Sequence, residues 1–162
     1  MITNYLSPLE FIITIKRLPS VEFFTQRTSI PGISVNPIEH PTPFKPTFEG
    51  GDRLNYDDLN LSFIVDEGMA NYLEIFNWIK GYSFPENFDQ YKNLTASQNA
   101  LKSDISVKVL NSHKNPSMLI DYRDCFPVSL SEVTLDTTQT DVIYPEATVT
   151  FRYNYFDITS IS

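Results

Sequence analysis

The stretch that decides the fold begins Gly50-Gly51-Asp52-Arg53-Leu54-Asn55-Tyr56-Asp57-Asp58-Leu59-Asn60-Leu61-Ser62-Phe63-Ile64-Val65-Asp66-Glu67 and runs on to Trp78-Ile79-Lys80-Gly81-Tyr82. Three signals follow one another in it. Gly50-Gly51-Asp52 is a turn signature, because glycine reaches the positive φ of tight turns without steric cost. Leu59, Leu61, Phe63 and Val65 then alternate with Asn60, Ser62, Ile64 and Asp66, the period of two of a strand with one buried face. A helix is expected next, over about 67–80. Asp66 suits its N-cap, Asp66 and Glu67 complement its N-terminal dipole, and Lys80-Gly81 suits its end.

Inside that helix Met69, Tyr72, Leu73, Phe76 and Ile79 share one face. Ile75, Trp78 and Tyr82 widen the apolar surface on a neighbouring side. One amphipathic helix covering an open part of a β core is the expectation, because aromatic stripes at helical spacing are usually packing.

Working outward, Leu9, Phe11, Ile13 and Ile15 share one face of a first strand. Pro19-Ser20 reads as a turn and 21–28 as a second strand, so the two suggest an N-terminal hairpin. Residues 31–48 carry Pro31, Pro37, Pro41, Pro43 and Pro46. Proline removes a backbone donor and fixes φ, which disfavours central sheet positions. A long extended arm or loose hairpin over about 33–56 is therefore expected, with short strands near 33–36 and 46–49. Such an arm is typically a contact surface.

Downstream of the helix, a short helical turn from Pro85 to Tyr91 and a polar surface connection lead to a strand at 104–111, with Ile105, Val107 and Val109 on one face. Asn115-Pro116-Ser117 reads as a turn, Met118 to Tyr122 as a short strand, and Cys125-Phe126-Pro127 as a break. Val128 and Leu130 lie on one phase, Val133 and Leu135 on the other, which suggests a β-bulge near Ser131-Glu132. Residues 136–145 form a loop. In the last strand Ala147, Val149, Phe151, Tyr153 and Tyr155 alternate with Thr148, Thr150, Arg152, Asn154 and Phe156. The architecture expected is mainly β: a barrel or sandwich of six or more largely antiparallel strands, one flanking helix and the arm, in a single domain over 1–162. Its core is expected to include Leu61, Phe63, Leu73, Phe76, Trp78, Val149, Phe151 and Tyr153.

Composition narrows the function. The 162 residues include 12 Phe and 9 Tyr, as suits pleated, half-buried surfaces. No run approaches the roughly 18–20 apolar residues of a membrane span, and residues 1–8 show no basic start or apolar signal core. The one cysteine, Cys125, fits a reducing compartment. Without a signal, the glycosylation triplets at Asn60 and Asn93 read as chance. A formal net charge of −8 argues against a general nucleic-acid binder, which needs Lys and Arg to neutralise phosphates.

Catalytic patterns are missing. His40 and His113 sit in no metal-ligand spacing with each other or with Cys125. Asp57-Asp58 lacks the further oxygens and the glycine of a calcium loop. No nucleophile elbow, phosphate-binding glycine loop or dinucleotide fingerprint occurs. No catalytic, metal or cofactor site is therefore assigned, and an enzyme is not expected.

The ordered motifs resemble a family. Ser29-Ile30-Pro31-Gly32-Ile33 precedes the arm, and Gly51-Asp52-Arg53 follows it. Tyr56-Asp57-Asp58-Leu59 runs to Val65-Asp66-Glu67, and Phe76-Asn77-Trp78-Ile79 lies in the helix. Phe126-Pro127 opens a Val/Leu strand, and the last strand ends in Tyr153-Asn154-Tyr155-Phe156-Asp157. Together these are similar to the tail tube proteins of contractile-tailed bacteriophages, over nearly the whole chain.

The resemblance implies a fold like that of the haemolysin-coregulated tube protein of type VI secretion. It implies hexameric rings stacked into a tube within a contractile sheath, and DNA passing through without specific binding. It implies a virion tail location after assembly in the host cytoplasm, with the sheath protein, a baseplate tube-initiator and a tail terminator as partners, and no cofactor. Six copies would carry six times −8, a formal −48, which suits a lumen to which DNA does not adhere. Inter-subunit or inter-ring contacts are expected from Ile33, Val35, Pro37, Pro41, Phe44, Phe48, Arg53 and Tyr56. Two alternatives stand beside this: a tube-initiator or tube-terminator of the same fold, and a ligand-binding β-sandwich using Tyr82, Tyr91 and Tyr144.

Overall fold

The computed structural model describes Leu6, residues 8–83, Asp89, Lys92 and residues 101–161. The alternation at 59–64 becomes strand β7 (Leu59–Ile64), whose Leu59, Leu61 and Phe63 are fully buried. Around it lie β1 (Phe11–Ile15), α1 (Pro19–Phe24), β2 (Thr25–Thr28), β8 (Ser103–Leu110), β9 (Pro116–Leu130), β10 (Glu146–Arg152) and β11 (Tyr155–Ser160). Four short strands build the arm: β3 (Ile33–Val35), β4 (Ile38–His40), β5 (Thr47–Glu49) and β6 (Leu54–Tyr56). Helix α2 spans Ala70–Ser83.

Six strands follow one antiparallel path, β1-β8-β9-β10-β7-β2, and a seventh, β11, also pairs with β9. Strand β9 organises it. Its first part pairs with β8 and β11, its last part with β10, so it passes from one sheet of a sandwich to the other. The corner is at Asp124, whose φ is 57°, a conformation that Asp tolerates better than most residues. Ser103 faces Cys125 but Ile105 faces Tyr122, so β9 carries an extra residue here. Side chains pin the corner. The Asp124 N–H donates to Asp104 Oδ1 at 3.1 Å, and Asn154 Nδ2 donates to Asp124 Oδ2 at 2.6 Å. The chain breaks at Tyr153-Asn154 between β10 and β11, so both neighbouring runs turn together.

The core lies between the sheets. Ile13, Ile15, Ile105, Val107, Ile120 and Tyr122 face Leu61, Phe63, Val149, Phe151 and, from α2, Ile75 and Trp78; all are buried. Each such aliphatic or aromatic side chain contributes about 1.5–3 kcal/mol by leaving water.

Helix α2 covers an edge. The last part of β9 has β10 on one side only, and α2 lies along it. The Tyr82 hydroxyl donates to Pro127 O, and Tyr72 Oη donates to Ser131 O at 3.2 Å. These bonds satisfy carbonyls at an edge that carries a proline. Pro127 therefore sits inside a continuous 15-residue strand, where a break and a separate short strand were expected.

Other departures have local causes. Residues 19–24 are helical, not part of a second strand: Pro19 opens the turn, Leu18 and Val21 face the core, and Thr25 Oγ1 donates to Val21 O at 2.6 Å. With α1 between them, β1 pairs with β8 and β2 with β7, so no N-terminal hairpin forms. Leu9 precedes β1 and is exposed. No described glycine has positive φ. Gly51 is needed for space instead, since a Cβ there would lie 1.9 Å from Asn36 O. The bulge in β9 falls at Val128, between Pro127↔Phe151 and Ser129↔Thr150, while Val133 and Leu135 belong to the following loop. The helical turn expected from Pro85 to Tyr91 lies outside the described residues apart from Asp89.

The largest correction concerns the face of α2. Leu73 and Phe76, expected in the core, are 48% and 45% exposed, whereas Asn71, Ile75, Trp78 and Gly81 are buried. Asn71 explains the rotation. Its Nδ2 donates to Ile64 O at 2.8 Å, and its Oδ1 accepts from the Asp66 and Tyr72 N–H groups at 3.2 and 2.8 Å. Strand β2 pairs with β7 no further than Thr25↔Phe63, so Ile64 O needs this donor. Turning Asn71 inward carries Ile75 and Trp78 with it at i+4 and i+7. The helix starts at Ala70, not at 67, because Asp66–Met69 forms a turn in which the Met69 N–H donates to Asp66 O at 2.8 Å.

Candidate assembly surface

The arm is a two-part ribbon. Ile33 pairs with Tyr56 and Val35 with Leu54; further out, Ile38 pairs with Glu49 and His40 with Thr47. Every residue from 32 to 50 is exposed. The ribbon still carries Ile33, Val35, Ile38, Phe44, Phe48 and Leu54, all exposed large hydrophobics. A two-stranded ribbon cannot bury its own side chains and is marginal alone, so these side chains form an apolar surface left in water.

Its root is fixed. Tyr56 joins a cluster with Tyr153, Phe156 and Tyr122, at centroid distances of 5.1–5.9 Å. The Asp57 N–H donates to Gly32 O at 3.0 Å, and Tyr153 Oη donates to Asp57 O at 2.7 Å. Tyr56 is thus half-buried at the root, while Ile33, Val35, Pro37, Pro41, Phe44, Phe48 and Arg53 are exposed along the ribbon. The tip is ordered too. The Thr42 hydroxyl donates to Lys45 O, and the Lys45 N–H returns to Thr42 Oγ1 at 3.4 Å. Phe44, at 98% exposure, stands on this turn.

Two further surfaces escaped the sequence reading. Met69, just before α2, and Leu73 and Phe76 on it are exposed, with Lys80 Nζ 5.9 Å from the Phe76 ring centroid. The loop 131–145 exposes Leu135, Val142, Ile143 and Tyr144. Between this loop and the start of α2 lies a mainly apolar groove of about 540 Å³. Phe24, Val65, Met69, Val133, Leu135 and Tyr144 line it together with Asp66 and Glu67. Its apolar walls come from chain segments 40 to 120 residues apart, which no local pattern announces.

The charged groups pair locally. Arg123 lies 2.9 Å from Asp104, Arg152 lies 2.6 Å from Asp58, and His40 lies 3.3 Å from Glu49 on the ribbon. The hydrogen bond to Asp104 raises the Arg123 pKa above its usual value. Burial pushes the Cys125 thiol up to about 12 and the Tyr153 hydroxyl to about 12, and raises Tyr122 as well. Such groups stay neutral and are poor nucleophiles or bases. Among the described residues no three His, Cys, Asp or Glu side chains are grouped as metal ligands.

The class that this fold defines is an antiparallel β-sandwich with a projecting two-part ribbon that leaves six large hydrophobics exposed to water. The chain belongs to the phage tail tube protein family, which it matches over residues 10–159. It is 26% identical to the tail tube terminator protein of Enterobacteria phage T4, over 97% of this chain and 90% of that protein. Its fold is that of a chain in the sheath–tube complex of an extracellular contractile injection system, PVC, in the extended state, with a TM-score of 0.71, 17% identity and coverage of 99% and 95%. It is also that of a chain in the tube-terminating cap of the anti-feeding prophage, with a TM-score of 0.69, 17% identity and coverage of 99% and 94%.

Proposed function

We propose that this chain is a structural subunit of a contractile phage tail and works at the end of the tail tube, as a tube terminator. The observation that favours the end position is the full-length similarity to the T4 tail tube terminator. The unpartnered ribbon supports assembly as the work itself, with no catalytic step and no cofactor. In this reading copies join into a ring, with six the expected number. The ring seats on the last ring of the tube inside the sheath, and DNA passes through its lumen unbound. Ile33, Val35, Pro37, Pro41, Phe44, Phe48, Arg53 and Tyr56 supply the contacts, and the protein is assembled in the host cytoplasm and carried in the virion tail.

A second reading makes it the repeating subunit of the tube. The likeness to a chain of the PVC sheath–tube complex favours it. Electron microscopy of the purified protein over a range of concentrations separates the two. Rings that do not extend alone but cap preformed tubes are the expected result. Long hollow tubes of uniform width from this protein alone would overturn the terminator reading in favour of the tube subunit.

A further inference from the structure

We propose that the arm tip of one copy inserts Phe44 into the groove beside α2 of a second copy, where Lys45 meets Asp66 and Glu67. The inference rests on the assembly reading above and names the receptor for the arm.

Three observations carry it. Phe44 is the most exposed large hydrophobic side chain among the described residues, so its own groove does not hold it. The Thr42–Lys45 hydrogen bonds and the flanking Pro43 and Pro46 hold the tip in one shape. A pre-shaped loop loses less entropy on docking. The charges match: Lys45 is the only lysine or arginine between Arg27 and Arg53, and the groove is apolar except for Asp66 and Glu67. A volume of about 540 Å³ accommodates a phenyl ring with its proline neighbour. Tip and groove are different patches of one molecule, so the contact is head-to-tail and either closes a ring or propagates. In a protein of net charge −8, a positive tip entering an acidic rim also fixes orientation against the general repulsion between copies.

The test uses the whole chain. Phe44→Cys combined with Leu135→Cys is oxidised mildly and run on a non-reducing gel; the native Cys125 is buried and does not compete. A ladder of linked multimers is expected from the double variant and not from either single one. By sedimentation, Phe44→Ala is expected to weaken self-association about 30-fold or more, as for a buried aromatic anchor. Lys45→Glu and Glu67→Lys are each expected to weaken it about tenfold, and their combination to restore most of the loss. Circular dichroism checks that each variant is folded. Wild-type self-association with no ladder and no coupling between Lys45 and Glu67 overturns the tip-in-groove contact and leaves assembly standing. Links from Phe44→Cys alone would mean that tips meet tips, and would also overturn it. Wild-type protein that stays monomeric and forms neither rings nor tubes overturns the assembly reading itself.

Discussion

Replacing Asn71 by alanine tests why α2 presents the face it does. The side chain is fully buried and holds Ile64 O at 2.8 Å and the Asp66 N–H at 3.2 Å. Alanine leaves both peptide groups without these partners. An orphaned buried polar group costs about 1–3 kcal/mol, with less for the half-buried Asp66 that water can reach. Alanine's better helix propensity returns about 0.5 kcal/mol. The net expectation is a destabilisation of about 2–3 kcal/mol, a large part of a typical domain stability of about 5–15 kcal/mol. Urea unfolding followed by Trp78 fluorescence reads it as a lower midpoint with an unchanged slope. Asn71→Asp sharpens the result. The carboxylate keeps the acceptor but faces Ile64 O with a charge, so this variant is expected to be worse than alanine near neutral pH. It should recover as pH falls and the carboxyl protonates, because the neutral acid can donate to Ile64 O. An Asn71→Ala protein within about 0.5 kcal/mol of wild type would refute the argument that this residue sets the rotation of the helix.

Other outcomes follow from neighbouring features. Trp78→Ala removes a buried ring that packs 6.1 Å from Phe151, bonds to Leu101 O at 3.3 Å and carries Arg17 at 4.8 Å; calorimetry should show a loss of about 3–5 kcal/mol. Deleting Pro37 to Lys45 should leave far-UV circular dichroism and unfolding almost unchanged, since the segment is exposed, while self-association by sedimentation is lost. Normal assembly by that deletion would remove the arm from the mechanism. Cys125 and Tyr153 have folded values near 12, against ordinary values of 9.0 and 10.0. Because each is raised on folding, the stability it adds is complete below pH 9 and is lost as pH rises towards 12. Urea midpoints at about pH 7 and about pH 11 check the sign, and Cys125→Ala should flatten part of the fall.

Much of the β architecture was legible because period-two alternation reports burial directly. Leu59 to Val65, Ile105 to Val109 and Ala147 to Phe151 are buried as their spacing says. The arm was legible from its prolines. What failed depended on partners distant in sequence. Pro127 looks like a break until Tyr82 is seen closing the edge beside it. Residues 21–24 look like a strand until Leu18 and Val21 are seen sharing one side of a short helical turn. On α2 the apolar pattern wraps far enough round the helix to permit two rotations, and one polar residue, Asn71, decides between them. The groove is formed by residues near 24, 65 and 135–145, so it has no linear signature.

The route of β9 bears on how the chain reaches this structure. Strand β10 lies between β9 and β7, and β7 closes the second sheet with β2, yet β10 follows every one of them in the sequence. Neither β7 nor the far half of β9 can gain that neighbour until residues 146–152 have left the ribosome. Until then Leu61, Phe63 and the edge of β7 lack their cover. Pairings such as Leu61↔Val149 and Phe11↔Val109 span about 90–100 residues, and chains rich in such distant contacts fold slowly, on the order of milliseconds to seconds. The arm is held to the same schedule: its root rests on Tyr153 and Phe156, so a partly made chain leaves the ribbon without a firm base.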